Sequence, residues 1–414
     1  SLEECAMSVY PKDTSAAVVV LWESLESSTD FDLSLGIPMM RRYFTERVKI
    51  LKDEAKDYAD GYVLVSQDLY AHESVTRMQV TTYNLENGKV VATKMPKSDI
   101  VRSQYSDGVE KVAYAARNVK VGSVVEVHYE FTTARFFSIP DFYFQRTVPV
   151  NLCEYKIALP EWLAVGKTMS GYESIECTHE VMNGGDVGTM LPANGLNVDN
   201  YRAVDLPAMK SEPMVYCTRQ YRSSVSYDVK ATTLPGNYQD YSRNWSDVAK
   251  AVSESDIFKR INASCKIKEE IDPIKNSDSS FMDKVVSIVN LVQSKVQWNK
   301  KLDLIPDKSA DILKSHSGTS SDINALAGSA FKYAGFKVTP VLVRLRSSGI
   351  LLRYKPSLKA FDTFILQIES ADGSKCYVDA SDKLSYVNVL DDQFLTDSGF
   401  AVGEGIFEWV DLRS

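Results

Sequence analysis

The sequence predicts a multidomain fold: an N-terminal all-β antiparallel sandwich followed by an α+β domain. The chain has 414 residues, 44% of them hydrophobic, and single hydrophobic cores seldom grow beyond about 250 to 300 residues, so two cores are expected. Short alternating runs occupy residues 15–235, and helical periodicity begins near residue 240. We therefore place an all-β domain at residues 1–235 and an α+β domain at residues 236–414.

The all-β prediction rests on strands that alternate apolar and polar residues. The segments VTRMQVTTYNL, VGSVVEVHYEFTTA and CEYKIALP all follow this period of two, which is typical of strands with one buried face. Turn residues separate the runs, as at Glu86-Asn87-Gly88 and Gly184-Gly185. The 22 tyrosines and 16 phenylalanines of the chain also favour strands. Together these features predict an antiparallel sandwich.

The second domain is predicted from a change of period. NWSDVAKAVSESDIFKRI and SFMDKVVSIVNLVQSKVQW place apolar residues at helical spacing, so two helices should begin this domain. A polar segment then leads to SGTSSDINALAG, which reads as a capped helix, and the strands VTPVLVRLR, AFDTFILQIES and SKCYVDAS follow. Ala371-Asp372-Gly373-Ser374 is the expected hairpin turn between the last two strands. The domain boundary should lie at 234–242, where Pro, Gly and Asn cluster.

Composition excludes several classes of function. The net charge of −8 offers no positive field for a phosphate backbone, so no nucleic-acid partner is expected. The longest apolar run, AAVVVLW at 16–22, is far shorter than the ~20 residues that span a bilayer. The six cysteines stand singly, without C-x-x-C or a histidine at metal-ligand spacing. We therefore expect no metal site and no cofactor, while the pairing state of the cysteines stays open.

The residues Thr319, Ser320 and Ser321 at the start of the predicted helix allow two interpretations. A hydroxyl there can accept hydrogen bonds from the free amides of the first turn, and Asp322 complements the positive helix end, so a helix cap is a sufficient explanation. Helix starts also hold nucleophiles, because the free amides stabilise an oxyanion. A serine nucleophile needs an aligned base as well. The residues alone leave both interpretations open.

Several motifs in a fixed order carry a family resemblance. G-x-x-x-D-I-N-x-L, K-x-A-G-F-x-V-x-P-V-L-V-x-x-R, F-D-T-F-I and D-G-x-x-x-Y-V-D-A-S-D occur in this order from Gly318 onward. This half resembles the bacterial transglutaminase-like domains, relatives of papain-type cysteine proteases. Upstream, ENGKVV, NVKVGSVVEVHYEF, PDFYFQ and PVNLCEYKIALP resemble the β domain of unknown function that commonly precedes that module. The two resemblances cover nearly the whole chain.

The transglutaminase resemblance implies a Cys-His-Asp triad, with the cysteine at the helix start, the histidine on the next strand pair and the aspartate on the strand after that. Carried over residue by residue, the cysteine position falls on Ser320, the histidine position on Thr363 and the aspartate position on Asp379. Threonine cannot act as a base near neutral pH. The resemblance therefore implies a degenerate, inactive module that serves binding or assembly, with a peptide, protein or glycan as ligand.

An active amide-bond hydrolase, such as a protease, or an acyl transferase is the alternative. It would use Ser320 or a displaced nucleophile. His316 lies four residues before Ser320 and is expected to be solvated or bonded to a carbonyl group, and Cys376 is expected to be a buried thiol. The remaining histidines, His72, His128 and His179, lie in the β domain. A glycosidase-type carboxylate pair would leave no local signature in the sequence.

The segment FFSIPDFYF offers two further interpretations, a glycan-binding aromatic platform or ordinary core packing. The resemblance also implies export to the periplasm, the cell envelope or the exterior of a Gram-negative bacterium, with a signal peptide removed. It implies in addition that the ending EGIFEWVDLRS leads into a further C-terminal β domain. The oligomeric state is not indicated.

Overall fold

The computed structural model describes the chain apart from a few short segments, which are residues 33, 107, 183–194, 216, 235–236, 241–243, 384, 397, 404–406 and 413–414. The chain divides into two compact units, Ser1–Ser242 and Arg243–Ser414. The first is rich in strands and the second combines helices with strands, which confirms the predicted fold class. The turn at Gly184-Gly185 and the boundary at residue 235 fall outside the described residues and stay predictions.

The first unit begins with a short helix, α1 (Leu2–Ala6), and continues almost entirely in strands. The strands are β1 (Val18–Asp32), β2 (Ile37–Ile50), β3 (Gly61–Ser66), β4 (Ser74–Glu86), β5 (Lys89–Lys94), β6 (Val101–Ser106), β7 (Val109–Tyr114), β8 (Val124–Thr133), β9 (Phe142–Tyr143), β10 (Val150–Pro160), β11 (Leu163–Ser170), β12 (Glu176–Met182), β13 (Leu196–Leu206), β14 (Ser224–Leu234) and β15 (Asn237–Asp240). Short 3₁₀ helices lie at Asp53–Ala59, Lys97–Asp99 and Thr218–Tyr221.

The strands form one large sheet and two small ones. The large sheet has eight strands in the order β12-β13-β10-β1-β2-β8-β4-β5; a second runs β11-β14-β15 with β9 beside β14, and a third runs β3-β7-β6. Neighbouring strands are antiparallel, with one exception: β1 and β10 are parallel, with Val20 opposite Val150. A parallel pair needs a long crossover connection, and the whole segment from β2 to β9 supplies it. The antiparallel prediction is therefore wrong for this pair alone.

The two larger sheets share an apolar core. Residues of both sheets contribute to it, including Val20, Val127, Tyr155 and Tyr227. The aromatic segment FFSIPDFYF supplies two of its members, because Phe142 and Phe144 are buried and the ring of Phe142 stacks on Tyr155 at 4.5 Å. The core-packing interpretation is confirmed for Phe142 and Phe144, whereas Phe137 is exposed.

Two glutamates lie side by side on the core face of the large sheet, Glu23 on β1 and Glu46 opposite it on β2. Glu23 is fully buried, and both of its carboxylate oxygens accept from Arg146, with 3.1 Å between Nε and Oε2. Burial, and then the charge of Glu23, raise the pKa of Glu46 to about 7, although Arg146 opposes the shift. In the described part of the chain, Arg146 therefore forms an ion pair with Glu23 and acts on Glu46 only through its charge.

The second unit packs a bundle of helices on a five-stranded sheet. Its helices are α2 (Trp245–Glu254), α3 (Asp256–Ile261), α4 (Lys268–Lys275), α5 (Phe281–Lys295), α6 (Ser309–Ser315) and α7 (Ser320–Ala334). Its strands are β16 (Gln297–Trp298), β17 (Ser317–Gly318), β18 (Lys337–Val343), β19 (Thr363–Glu369), β20 (Lys375–Val378), β21 (Gly399–Val402) and β22 (Phe407–Val410), and 3₁₀ turns lie at Arg346–Ser348, Leu358–Ala360 and Asp392–Phe394. The sheet order is β20-β19-β18-β21-β22.

The helices before α7 differ from the prediction in number. The first predicted helix is divided at Ser255, whose hydroxyl accepts from the amide of Ile257 and so starts a new helix. The helix α4 was not predicted, and Pro273 lies inside it. The polar segment before α7 also contains a helix, α6. The hairpin turn is confirmed, since β19 and β20 pair antiparallel and Gly373 takes a positive φ of 86°.

Helix α7 is the central helix of the second unit. Its residues are buried without interruption from Ser320 to Phe331, because it packs on β18 and β19 on one side and on α3, α4 and α5 on the other. Gly328 allows the close approach to α3, since a Cβ there would lie 3.1 Å from Ile261. The polar residues of the first turn are thus held inside the unit.

Candidate functional site

The first turn of α7 is closed by a reciprocal cap. The Thr319 hydroxyl accepts from the amide of Asp322 at 3.3 Å, and Asp322 Oδ2 accepts from the amide of Thr319 at 2.8 Å. These bonds satisfy two backbone donors that a helix start leaves free. The cap interpretation is therefore confirmed for Thr319, while Ser320 is the first residue inside the helix.

Ser320 and Thr363 lie in direct contact. The Ser320 Oγ and Thr363 Oγ1 atoms are 2.7 Å apart, and either oxygen can be the donor. Both residues are 0% exposed. Thr363 begins β19, and the packing of α7 on β19 brings the two hydroxyls together. The structure thus places two of the three residues singled out from the sequence side by side.

Asp379 follows β20 and is directed to a different partner. Its Oδ1 accepts from the Asn324 side chain at 3.0 Å, and from the amide and hydroxyl of Ser381 at 3.0 and 2.7 Å. Burial raises the pKa of Asp379, and these hydrogen bonds oppose the shift. In the described part of the chain, neither Ser320 nor Thr363 is a hydrogen-bond partner of Asp379. The three positions therefore do not form a continuous relay.

Asn324 is the residue that sequence reasoning missed. It lies one turn after Ser320, and its side chain donates to the Phe364 carbonyl at 3.0 Å and accepts from the amide of Ala380 at 2.8 Å. With its bond to Asp379, this amide connects α7 to β19 and to the chain after β20. A signal was present in the sequence, because Asn324 is a polar residue within the apolar stripe of a helix.

The segment from Asn299 to Asp307, called the 299–307 segment below, covers the start of α7. The amide of Ser320 donates to the Lys301 carbonyl at 3.1 Å, and the Ser320 hydroxyl accepts from the amide of Asp303 at 3.3 Å. The amide of Asp307 donates to Asp322 Oδ1 at 2.7 Å. An oxyanion site requires donors that point at the reacting atom. The amide of Ser320 is instead paired within the protein.

His316 and Cys376 are the displaced groups of the second unit that the sequence suggested, and neither is a hydrogen-bond partner of Ser320 in the described part of the chain. His316 is exposed at the end of α6, and its Nδ1 lies 3.0 Å from the Lys295 carbonyl, which confirms the carbonyl-bonded interpretation. Burial raises the pKa of Cys376 to about 11, so its thiol is protonated near neutral pH. His72, His128 and His179 belong to the first unit.

Across the described residues, no group of three or more His, Cys, Asp or Glu side chains could hold a metal ion. In that same part of the chain, no helix is both long and apolar enough to cross a membrane.

Comparison with known families gives one match. The family described as "Domain of Unknown Function with solved-structure structure (DUF3857)" matches residues 39–179. This match supports the predicted β-rich domain of unknown function in the first half of the chain. No curated protein matches the sequence.

Among solved structures, a crystal structure described as a "putative protease" from Parabacteroides distasonis has a TM-score of 0.62 at 14% identity. The match covers 96% of this chain and 70% of that one, and at this identity it shows a shared fold. A zinc metallopeptidase from Deinococcus radiodurans gives a TM-score of 0.24 at 12% identity, covering 53% of this chain and 44% of that one, which supports no structural inference. The chain therefore shares the fold of that Parabacteroides distasonis protein.

Proposed function

We propose that the second unit is a transglutaminase-like, papain-like module that has lost catalysis and binds a peptide or protein segment. The contact between Ser320 and Thr363, 2.7 Å long and fully buried, is the observation that carries this proposal. A serine nucleophile needs a base to remove its proton. Threonine stands where the resemblance implies a histidine, and a hydroxyl does not accept a proton near neutral pH.

Two further features support the loss of catalysis. The amide of Ser320 is bonded to Lys301, so it is not free to stabilise an oxyanion. In a triad the carboxylate orients the base, but Asp379 binds Asn324 and Ser381. The polar groups at the three triad-equivalent positions therefore act as structural hydrogen-bond partners in this proposal.

A peptide or protein segment is the ligand class that the fold favours. Strand addition at a sheet edge uses main-chain hydrogen bonds and needs no nucleophile. Strand β22 lies at one edge of the five-stranded sheet, where it pairs with β21. A glycan platform is less well supported, since Phe142 and Phe144 belong to the core of the first unit.

Loss of catalysis is tested on the full chain with a fluorescent casein hydrolysis assay and an amine-incorporation assay, each run beside Ser320→Ala as control. We expect neither protein to give turnover above buffer. Turnover by the wild type that disappears in Ser320→Ala would contradict the proposal. Binding is tested by hydrogen exchange in the presence of a set of extended peptides, with slower exchange expected in Phe407–Val410.

The alternative, an amide-bond hydrolase or acyl transferase, requires a base within hydrogen-bond reach of the Ser320 hydroxyl. The described partners of that hydroxyl are the hydroxyl of Thr363 and the amide of Asp303, and neither is a base. A displaced thiol at Cys376 would be protonated, given its raised pKa. The geometry therefore favours the inactive module.

We also propose export to the envelope of a Gram-negative bacterium, for which the family resemblance is the support. This location is tested by fractionating cells that express the chain, with an epitope tag, from its own gene. Recovery with the periplasmic fraction is expected, and recovery with the cytoplasmic fraction would contradict it.

A further inference from the structure

A cluster of polar side chains lies between two sheets of the first unit and plays no part in the proposed function. It consists of Lys167 on β11, Cys177 and His179 on β12, Asp199 and Tyr201 on β13, and Tyr227 on β14. The register explains their meeting: Cys177 lies opposite Tyr201 and His179 opposite Asp199, while Lys167 lies opposite Tyr227 in the other sheet.

Asp199 is the centre of the cluster. Its oxygens accept from Tyr227 at 2.6 Å and from Lys167 at 3.3 Å, and Oδ1 lies 2.8 Å from His179 Nδ1. Burial acts to raise the pKa of Asp199, but these hydrogen bonds outweigh burial and hold that pKa below its usual value. A carboxylate anchored in this way fixes the position of the Lys167 ammonium group.

The fixed lysine lies beside a thiol that solvent can reach. Lys167 Nζ is 4.0 Å from Cys177 Sγ. The structure describes all six cysteines, and Cys177 is exposed while the other five are buried. Lys167 belongs to the smaller sheet and Cys177 to the edge strand of the large one, so the pair bridges the two sheets.

We propose that Cys177 and Lys167 form an oxidative crosslink, a sulfenamide, when the protein meets a hydroperoxide. Thiol oxidation to a sulfenic acid followed by condensation with a backbone nitrogen is established cysteine chemistry, and a lysine amine is a stronger nucleophile than an amide nitrogen. The exposed thiol admits the oxidant, and the anchored amine lies 4.0 Å from the sulfur. The crosslink ties the edge strand β12 to β11.

The reaction balances with the hydroperoxide as the one co-reactant. The Cys177 sulfur attacks the terminal peroxide oxygen as the O–O bond breaks, and the thiol proton passes to the leaving oxygen. The products are the sulfenic acid and an alcohol, or water when the oxidant is hydrogen peroxide. Lys167 then releases its ammonium proton to solvent, and its nitrogen attacks the sulfur. The S–N bond forms as the S–O bond breaks, and the hydroxide leaves as water with a proton from the nitrogen. Sulfur loses two electrons, the peroxide gains them, and the protein loses two hydrogen atoms.

The test uses the full, reduced chain treated with hydrogen peroxide. After the peroxide is removed by catalase, free thiols are alkylated under denaturing conditions, and the intact mass and tryptic peptides are measured without reductant. We expect a loss of about 2 Da, no alkylation of Cys177, no cleavage after Lys167 and a linked peptide pair. Dithiothreitol should restore both peptides, because the S–N bond is reducible.

Two variants and a control make the outcome decisive. Lys167→Arg keeps a cation beside Asp199 but has no primary amine to condense with the sulfenic acid. In this variant Cys177 should be oxidised further to the sulfinic acid, a gain of about 32 Da. Cys177→Ser should show neither change, and Lys89→Arg, which alters a distant exposed lysine, should crosslink as the wild type does. If the wild type instead forms a sulfinic acid or an intermolecular disulfide at Cys177 while Lys167 remains cleavable, the proposal is wrong.

Discussion

Ser320 and Thr363 each supply the hydrogen-bond partner that the other needs inside the second unit. A buried hydroxyl that loses its hydrogen-bond partner is still removed from water and so costs free energy, whereas the removal of both hydroxyls leaves no hydroxyl unpaired. Ser320 also receives the amide of Asp303, so the two residues are not equivalent. The contact therefore makes an energetic prediction that does not depend on any activity.

We expect Ser320→Ala and Thr363→Val each to lower the free energy of unfolding by about 1 to 3 kcal/mol. The double variant should lose clearly less free energy of unfolding than the two single variants lose together, because neither hydroxyl is then left unpaired. A double-mutant cycle by urea unfolding measures this coupling. Additive losses would show that the two hydroxyls do not depend on each other.

Glu46 gives a prediction about pH. Its folded pKa is raised from 4.5 to about 7, so the folded state holds this proton more tightly than the unfolded state does. The contribution of Glu46 to stability is therefore present below pH 4.5 and is lost as the pH rises to about 7. Glu46→Gln should be more stable than the wild type at pH 8, by up to about 3 kcal/mol, and nearly equal to it at pH 4. Thermal unfolding at both pH values measures the difference.

The control for Glu46 is Glu26→Gln, which neutralises an exposed glutamate on the same sheet. It should change stability little at either pH, because an exposed carboxylate is hydrated in the folded and in the unfolded state. An equal gain in both variants at pH 8 would point to the net charge of the protein and not to the burial of Glu46.

At the scale of elements, α7 depends on its cap because its first turn lies inside the unit, where water cannot replace a lost partner. Thr319→Ala should lower the free energy of unfolding by about 1 to 2 kcal/mol, as measured by urea unfolding. Thr319→Ser keeps the hydroxyl and should retain most of the stability. If Thr319→Ser loses as much stability as Thr319→Ala, then the loss is due to the methyl group of Thr319 and not to the cap.

The sequence predicted elements well where the periodicity was long and uninterrupted. Helix α7, strands β18 to β20 and the turn at Gly373 lie where they were expected. Helix α4 is not predicted, because Pro273 and several charged residues interrupt the helical pattern of apolar residues. Its apolar face is identified only by the packing of α4 on α5 and α7. Local propensity cannot report a contact with a distant element.

The candidate site was predictable in part. The order of the motifs singled out Ser320 and Thr363, as the cysteine and histidine positions that the resemblance implies. The structure brings these two residues into contact. The cover by the 299–307 segment was not predictable, because most of its contacts use backbone groups that every sequence possesses. Asn324 could have been noticed as a buried amide, but its three partners lie on distant segments.

At the scale of the whole molecule, each hydrophobic cluster of the described residues belongs to one unit. Units with separate cores usually unfold as separate cooperative blocks. We expect two transitions in calorimetry of the full chain. Thr319→Ala should lower one midpoint and leave the other unchanged, while Glu46→Gln at pH 8 should raise the other. A single transition that moves with both variants would contradict this expectation.

The parallel pairing of β1 with β10 bears on how the chain is made. Val20 in a central strand finds its partner Val150 only after more than a hundred further residues have been synthesised. Loop-closure entropy makes such distant pairings slow to form. One side of β1 therefore stays unpaired during synthesis until β10 emerges, and during that interval the apolar AAVVVLW segment is exposed to aggregation.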